Sequence, residues 1–455
     1  MKILLVTNGL PSNDPGGVQC YTLSLAHQLS KSHEVSILTR VWDLGKPEYQ
    51  TEEYCLGDVR IYSVVKNVGY PADFQLSYVD EKIDGIFSEL IKKIQPEIIH
   101  VQHLIFLSAN IINLAVSSNI PIALTLHDFW YICPAIRLLT PDMKPCPCLL
   151  QSNYSARCYH DHFYISQATT PFFSNLPPVI KKLFPHFLKT AIKNILQYIG
   201  PKSRPRAELT EEERRSGQRR ADFMHDALGK VSAIIAPSQF VGNLYHTWGV
   251  AAGMDVIPHG IDTIRTIPGK KVTPAGIHFG YIGTISEFKG VDILIKAFMN
   301  VTGDEASLSV YGDFQSATQY YRSLKKISRN DKRIHFHGAY DTKQLGDILS
   351  TIDVVVVPTR CNESFNMVIR EAFSQKIPVI ASRIGAIPEI VKDNINGMMF
   401  EPGNIVQLSQ KMQALLERPA QVRQFARNAP PIKYIADHAR EIENVYNRLL
   451  ISFNR

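Results

Sequence analysis

The sequence predicts an α/β protein of two doubly wound, Rossmann-like domains facing across a cleft. Three observations predict it. Short apolar runs alternate with helical patterns through the first third, as in βαβ units whose parallel sheet is covered on both faces. The same alternation restarts with IHFGYIG at 277–283, so a second sheet has its own beginning. The length, 455 residues, is too great for one ordinary core.

The elements follow in order. KILLVT (2–7) is the first buried strand, followed by a loop rich in Pro, Gly, Asn and Asp and a helix around 18–30. EVSILT, IIHVQ (98–102) and IALTLH (122–127) are further strands. The pattern breaks between about 131 and 230, an insert rich in Pro, Cys and aromatics and then in charge. SAIIAPS (232–238) and IPHGID (257–262) restore it, and TIPGKKVTPAG (266–276) reads as a linker. Beyond it, ASLSVYG (306–312), RIHFHG (333–338), VVVV (354–357) and PVIAS (378–382) are strands with helical segments between them. Residues 432–453 place Ile435, Ala439, Ile442, Val445 and Leu449 at helical spacing, an amphipathic terminal helix. The expected division is therefore an N-terminal domain over 1–255 carrying the insert, a second domain over 256–431, and a helix over 432–455 that packs back on the first.

Composition is that of a soluble globular protein, 45% hydrophobic and 20% charged. No run of about 18 apolar residues is present to cross a membrane. The N-terminal apolar run is too short for a secretory signal, so a cytoplasmic location is expected. The net charge of +7 is uneven. Residues 163–207 contain no Asp or Glu and carry Lys181, Lys182, Lys189, Lys193, Lys202, Arg204 and Arg206. Within it, Ile180, Leu183, Phe184, Phe187, Leu188, Ile192 and Leu196 can share one helical face bordered by lysines. That pattern suits a segment lying on an anionic membrane surface at the inner face, through about 172–206; it equally suits a helix packed on its own domain. No recognisable nucleic-acid-binding fold or aromatic platform accompanies the basic stretch, and no nucleic-acid partner is expected.

Cysteines number seven. Cys133, Cys146, Cys148 and Cys158 lie within 26 positions, with His160 and His162 beside the last. Three readings are open: a closed tetrahedral zinc site, free or partly buried thiols, or a disulfide, the last disfavoured in the cytoplasm.

The stretch richest in chemistry is DVVVVPTRCNESFNMVIREAF, 353–373. Glu363 falls in the loop after an apolar strand, and Glu371, eight residues on, about two turns into the next helix. Ligands of open α/β sheets bind at the carboxyl ends of strands, and two carboxylates there can grip sugar and ribose hydroxyls. Gly16 and Gly17 precede the first helix, where backbone N–H groups can approach a phosphate; a tight structural turn explains them as well. Lys289 and Gly290 repeat the arrangement after Gly283 and Thr284, and a lysine at a helix start opposes the helix dipole unless an anion sits there. No Ser-His-Asp or Cys-His arrangement stands out.

These segments resemble the retaining nucleotide-sugar glycosyltransferases of family 4, which have the two-domain GT-B fold. The likeness rests on GGV near the N-terminus, HDFW (127–130), APSQF (236–240), IPHGID, GTISEFKGVDILIKAF, VYGD (310–313), ESFNMVIREA, PVIASRIGAIPEIV and NGMMFEPGN, in the family's order across most of the chain. The resemblance implies that Glu363 contacts the donor sugar and Glu371 the nucleoside ribose. It puts Lys289 on the diphosphate, with the Gly16–Gly17 loop and the amides of Phe365, Asn366, Met367 and Val368 completing the cradle. His127 would contact the transferred sugar. The implied reaction moves a glycosyl group from a nucleoside diphosphate sugar to a glycan or lipid-linked acceptor, with retention, no required cofactor and no catalytic metal, in polysaccharide or glycoconjugate biosynthesis. Thr284 stands where many relatives carry a diphosphate-binding arginine; Arg360, Arg370 and Arg383 are the candidates to replace it. Alternatives are a sugar-nucleotide epimerase or phosphorylase of similar fold, and a non-catalytic nucleotide-sugar-binding subunit.

Overall fold

The computed structural model describes all residues except 13–15, 68–72, 141–142, 147–209, 251–252, 265–275, 315–317, 330 and 454–455. The expected basic segment at 172–206, Cys148, Cys158 and most of the linker at 266–276 lie outside the described residues. Two compact units form: Met1–Pro237, Val241–His259 and Ile435–Arg455 make unit 1, and Ser238–Phe240 with Gly260–Tyr434 make unit 2.

Unit 1 is built on an eight-stranded sheet, β1 (Lys2–Thr7), β2 (Glu34–Val41), β3 (Thr51–Leu56), β4 (Val59–Val65), β5 (Ile98–Val101), β6 (Ile122–Thr125), β7 (Ala233–Ala236) and β8 (Met254–Val256), in the order β3-β4-β2-β1-β5-β6-β7-β8. Every neighbouring pair is parallel except β3 and β4. The antiparallel β3 departs from the all-parallel expectation. It is an edge strand, mostly exposed, whose TEEYCL sequence lacks the apolar run of a buried strand. IPHGID (257–262) follows β8 as a loop.

Helix α1 (Gly17–Leu29) buries Tyr21, Leu25 and Leu29 against Ile3 and Leu5 of β1. Helix α2 (Glu81–Ile94) starts where the Asp80 carboxylate accepts from the N–H groups of Lys82 and Ile83, and buries Ile83, Phe87, Leu90, Ile91 and Ile94. Helix α3 (Glu211–Gly229) corrects the reading of an irregular insert reaching residue 230. Its start is a capping box, Thr210 with Glu213, and three glutamates occupy its first turn. Arg220, buried on this helix, donates to the carbonyls of Trp130 and Tyr131. The C-terminal helix, Ile435–Phe453, buries Ala439, Ile442, Val445, Tyr446 and Leu449 in the same core as α1 and β1.

Among its described residues unit 2 has six parallel strands, β9 (Ile277–Ile282), β10 (Ala306–Tyr311), β11 (Ile334–Gly338), β12 (Val354–Val357), β13 (Val379–Ser382) and β14 (Gly397–Phe400), in the order β11-β10-β9-β12-β13-β14. This is the doubly wound order, whose direction reverses between β9 and β12. Its two-sided burial explains the four valines of β12. Val354 and Val356 enter one core cluster, with Phe279, Tyr281 and Phe298; Val355 and Val357 enter another, with Ile282, Ile369 and Phe373. The helices of this unit include α4 (Val291–Met299) after β9, α5 (Met367–Ser374) after β12 and α6 (Ile405–Glu417) after β14. Among the described residues no helix is long and apolar enough to cross a membrane.

Candidate functional site

In unit 2 the chemistry gathers where the strand order reverses. The loop leaving β9 carries Gly283, Thr284 and Lys289; the loop leaving β12 carries Glu363 and leads into α5. The chain brings the two loops together by close backbone approach. Gly290 has φ +73°, and a Cβ there would lie 2.0 Å from the carbonyl oxygen of Pro358. The N–H of Arg360 donates to the carbonyl of Phe288 at 2.8 Å. Only a residue without a side chain can sit at Gly290, so the KG pair has a mechanical reason beyond its lysine.

Stitched this way, Lys289 Nζ reaches Glu363 Oε1 at 2.7 Å. Glu363 is buried and Lys289 partly exposed. The Glu363 backbone is gripped from the other side by Gly385, at φ +59°, whose Cβ would fall 2.5 Å from both the nitrogen and the oxygen of Glu363. The next amide, Ala386 N–H, donates to the Glu363 carbonyl at 2.8 Å. Gly385 and Ala386 lie in the GAIPE segment, and nothing in the spacing of that segment alone marks them as supports for Glu363.

Asn366 has φ +61° and precedes α5, with its side chain accepting from Ile369 N–H at 3.1 Å. Phe365 is buried and Val368 packs on the apolar cluster under β12 and β13. Glu371 is the fifth residue of α5, in its second turn, a little earlier than two full turns. Burial, and to a lesser degree the nearby Asp262 carboxylate, push its carboxyl up to about 7. Gly283 N–H donates to Tyr311 O at 3.1 Å, and Thr284 O accepts from the Tyr281 hydroxyl at 2.7 Å, which fixes that loop.

The arginines proposed to stand in for the one absent at Thr284 are committed elsewhere. Arg360 makes a bidentate pair with Asp292 of α4 at 2.8 and 2.7 Å and donates to Glu287 O. It therefore braces the Lys289 loop against α4. Arg370 is buried over the Phe365 ring and donates to the Phe365 carbonyl; burial lowers its pKa. Arg383 pairs with Asp393 and Glu401.

In unit 1 the Gly16–Gly17 turn opens α1 after β1. Gly16 is extended, at φ −147°, and caps the helix start, while Gln19 folds beside it and donates to Asn8 Oδ1 at 3.2 Å. His127 follows β6. Its Nε2–H donates to Gln102 Oε1 at 2.8 Å, and its ring lies 4.9 Å from that of Tyr21 and 4.7 Å from that of His259. Burial, and then His103, His100 and His438, hold its pKa well below the ordinary histidine value, so the imidazole is neutral. His103 accepts from Ile105 N–H through Nδ1 and donates from Nε2 to Asp128 at 2.8 Å. Tyr21 bonds to His438 Nε2 at 2.6 Å, and His438 Nδ1–H donates to Pro258 O at 3.1 Å. Sequence reasoning singled out His127 but none of these partners.

Cys133 is buried and Cys146 partly exposed. Among the described residues no group of three or more His, Cys, Asp or Glu side chains is arranged to hold a metal.

Two family models match the chain and together cover more than half of it: Glycosyltransferase Family 4 over residues 15–151 and Glycosyl transferases group 1 over residues 276–418. A D-inositol 3-phosphate glycosyltransferase of Arthrobacter sp. (strain FB24) is 24% identical over 280 residues, 57% of this chain and 62% of that protein. The chain spans less than two thirds of the length of the curated relatives it matches. Among solved structures, sucrose-phosphate synthase from Thermosynechococcus elongatus superposes with a TM-score of 0.68 at 17% identity, over 99% of each chain. Anabaena HepE in complex with UDP-glucose superposes with a TM-score of 0.63 at 15% identity, over 98% of this chain and 100% of that one. These likenesses show the fold, which is GT-B. The chain belongs to the group 1 glycosyltransferases of family 4.

Proposed function

We propose that the protein transfers a glycosyl group from a nucleoside diphosphate sugar to an acceptor hydroxyl, with retention of anomeric configuration. The observation that carries this reading is the Lys289–Glu363 pair at the strand reversal of unit 2. Each partner holds the other where a ligand group would stand. A diphosphate draws Lys289 away as a point charge, and the released Glu363 carboxylate then accepts hydroxyls of the donor sugar in charge-assisted hydrogen bonds. Glu371, further along on α5, accepts from the ribose hydroxyls once ionised. The start of α5 contributes N–H groups and a favourable dipole to the phosphates, and the Gly16–Gly17 loop is assigned to the same anion.

The chemistry needs little else. Departure of the diphosphate leaves an oxocarbenium-like sugar; the leaving phosphate oxygen takes the acceptor proton as the new bond forms on the same face. Lys289 stabilises the charge that develops on the leaving group. With no arginine at Thr284, this lysine carries a larger share of that work. His127 is assigned to a hydroxyl of the transferred sugar. UDP-sugars are the donors to try first, since HepE, of like fold, was solved with UDP-glucose. The acceptor is a glycan or lipid-linked glycan, and the basic stretch at 172–206 is assigned to an anionic membrane surface that presents it.

The test is product analysis with each nucleotide sugar and lipid-linked or soluble glycan acceptors. A glycoside of unchanged anomeric configuration supports the reading. Conversion of the donor sugar to its epimer without acceptor would establish the epimerase alternative instead.

A further inference from the structure

We propose that Gln102 is a positioning residue that fixes the tautomer of His127, presenting that ring to the donor sugar with Nδ1 as an acceptor. The proposal rests on the assignment of His127 to the transferred sugar. Gln102 follows β5 and His127 follows β6, adjacent parallel strands, so both side chains stand at the carboxyl edge of the sheet of unit 1. The Gln102 backbone is pinned by its N–H to Val6 O at 2.8 Å, and its side chain is almost wholly buried, 1% exposed.

The geometry sets the direction of the proton. A carboxamide oxygen can only accept, so the 2.8 Å contact from His127 Nε2 to Gln102 Oε1 requires the proton on Nε2. The other ring nitrogen then carries a lone pair. Tyr21 and His259 enclose the ring, and Tyr21 is itself held by His438, so rotation to the other tautomer would break an enclosed arrangement. Gln102 Nε2, buried and without a hydrogen-bond partner among the described residues, shows that the amide is placed for its oxygen. Among the described residues the ionisable groups around His127 include His259, whose ring lies 4.7 Å away, then His100, His103 and His438, with Asp128 bonded to His103 and the Tyr21 phenol against the ring. The acceptor at Nε2 is a neutral amide, which brings no charge to favour an imidazolium.

Replacing the neutral acceptor by an ionisable one makes the role measurable. Gln102→Glu supplies the same accepting oxygen when ionised, so at pH near 9 its turnover should stay within a few-fold of the parent. As pH falls, one proton enters the pair formed by the new carboxylate and His127. Whether it rests on the imidazole or the carboxyl, the neutral Nε2–H arrangement is lost. The ratio of variant to parent turnover should therefore fall by roughly tenfold or more from pH 9 to pH 6. Taking the ratio removes any titration common to both proteins, including that of Glu371. Gln102→Leu, which can accept nothing, should lose about tenfold or more at every pH, with no pH trend in its ratio.

A pH-independent ratio for Gln102→Glu, or parent-like turnover for Gln102→Leu, would overturn the proposal. Melting temperatures over the same pH range exclude unfolding as the cause of an acid loss. His127→Ala separates the role of the imidazole from that of Gln102. If it turns over normally, the assignment of His127 to the sugar fails; if it is impaired while both Gln102 variants behave as the parent, only the positioning role fails.

Discussion

Glu371 is the residue assigned to the ribose whose ionisation can be followed in both stability and binding. Its folded pKa of about 7 lies above the ordinary glutamate value of about 4.3. A raised acid contributes stability that is full below its unfolded pKa and is lost as pH rises through the folded one. Glu371→Gln should therefore gain stability relative to the parent between about pH 4.3 and pH 7, and hold that difference above. Denaturant unfolding across this range checks the sign. If the ionised carboxylate accepts ribose hydroxyls, nucleotide affinity in the parent should tighten as pH rises through 7, and the variant should lose that trend. Lys289 is the second test at this scale. Lys289→Ala removes the lysine assigned to the leaving diphosphate and should lower turnover by about two decades or more; near-normal turnover would remove it from the mechanism.

At the scale of elements, two glycines set the site by letting backbones touch. Gly385→Ala places a Cβ against the Glu363 backbone and forces an unfavourable φ. The expected cost is roughly 1–3 kcal/mol of stability, with a loss of donor turnover larger than the fall in melting temperature explains. Equal losses of activity in Gly385→Ala and in an equally destabilised variant of α6 would argue that Gly385 supports only the fold.

Legibility in the sequence also divides by element. VVVV could be read as a strand buried on both faces because its residues truly divide between two cores. The apolar stripe of the C-terminal helix was legible for the same reason. Helix α3 was not, because its buried side is only Gly217, Arg220, Met224, Ala227 and Leu228 among many charges. Its signal was the capping box Thr210–Glu213, which apolar periodicity does not register. The β3 edge was hidden by its polar, exposed composition. At the site, the positions of Lys289 and Glu363 at strand ends were legible, but not their contact. They are 74 residues apart, and their meeting depends on loop geometry that Gly290 and Gly385 permit. The commitment of Arg360 to Asp292, and of His127 to Gln102, is equally a product of tertiary placement.

For the whole molecule, most of the residues assigned to the donor lie in unit 2, while the 163–207 segment of the sequence concentrates positive charge. If that segment meets an anionic bilayer, the full-length protein should float with vesicles containing acidic phospholipid and should release as salt rises past the range where surface charges are screened. Flotation unaffected by removing the acidic lipid would contradict an electrostatic contact. If the Lys289–Glu363 pair is a nucleoside diphosphate sugar site, calorimetric titration of the parent and of Lys289→Ala with a panel of nucleoside diphosphates and their sugars will show it. Saturable binding of one base to the parent is expected, tighter for the diphosphate than for the nucleoside, and weakened by roughly tenfold or more in the variant. Absence of any nucleotide binding to the folded parent, or equal affinity in Lys289→Ala, would contradict it.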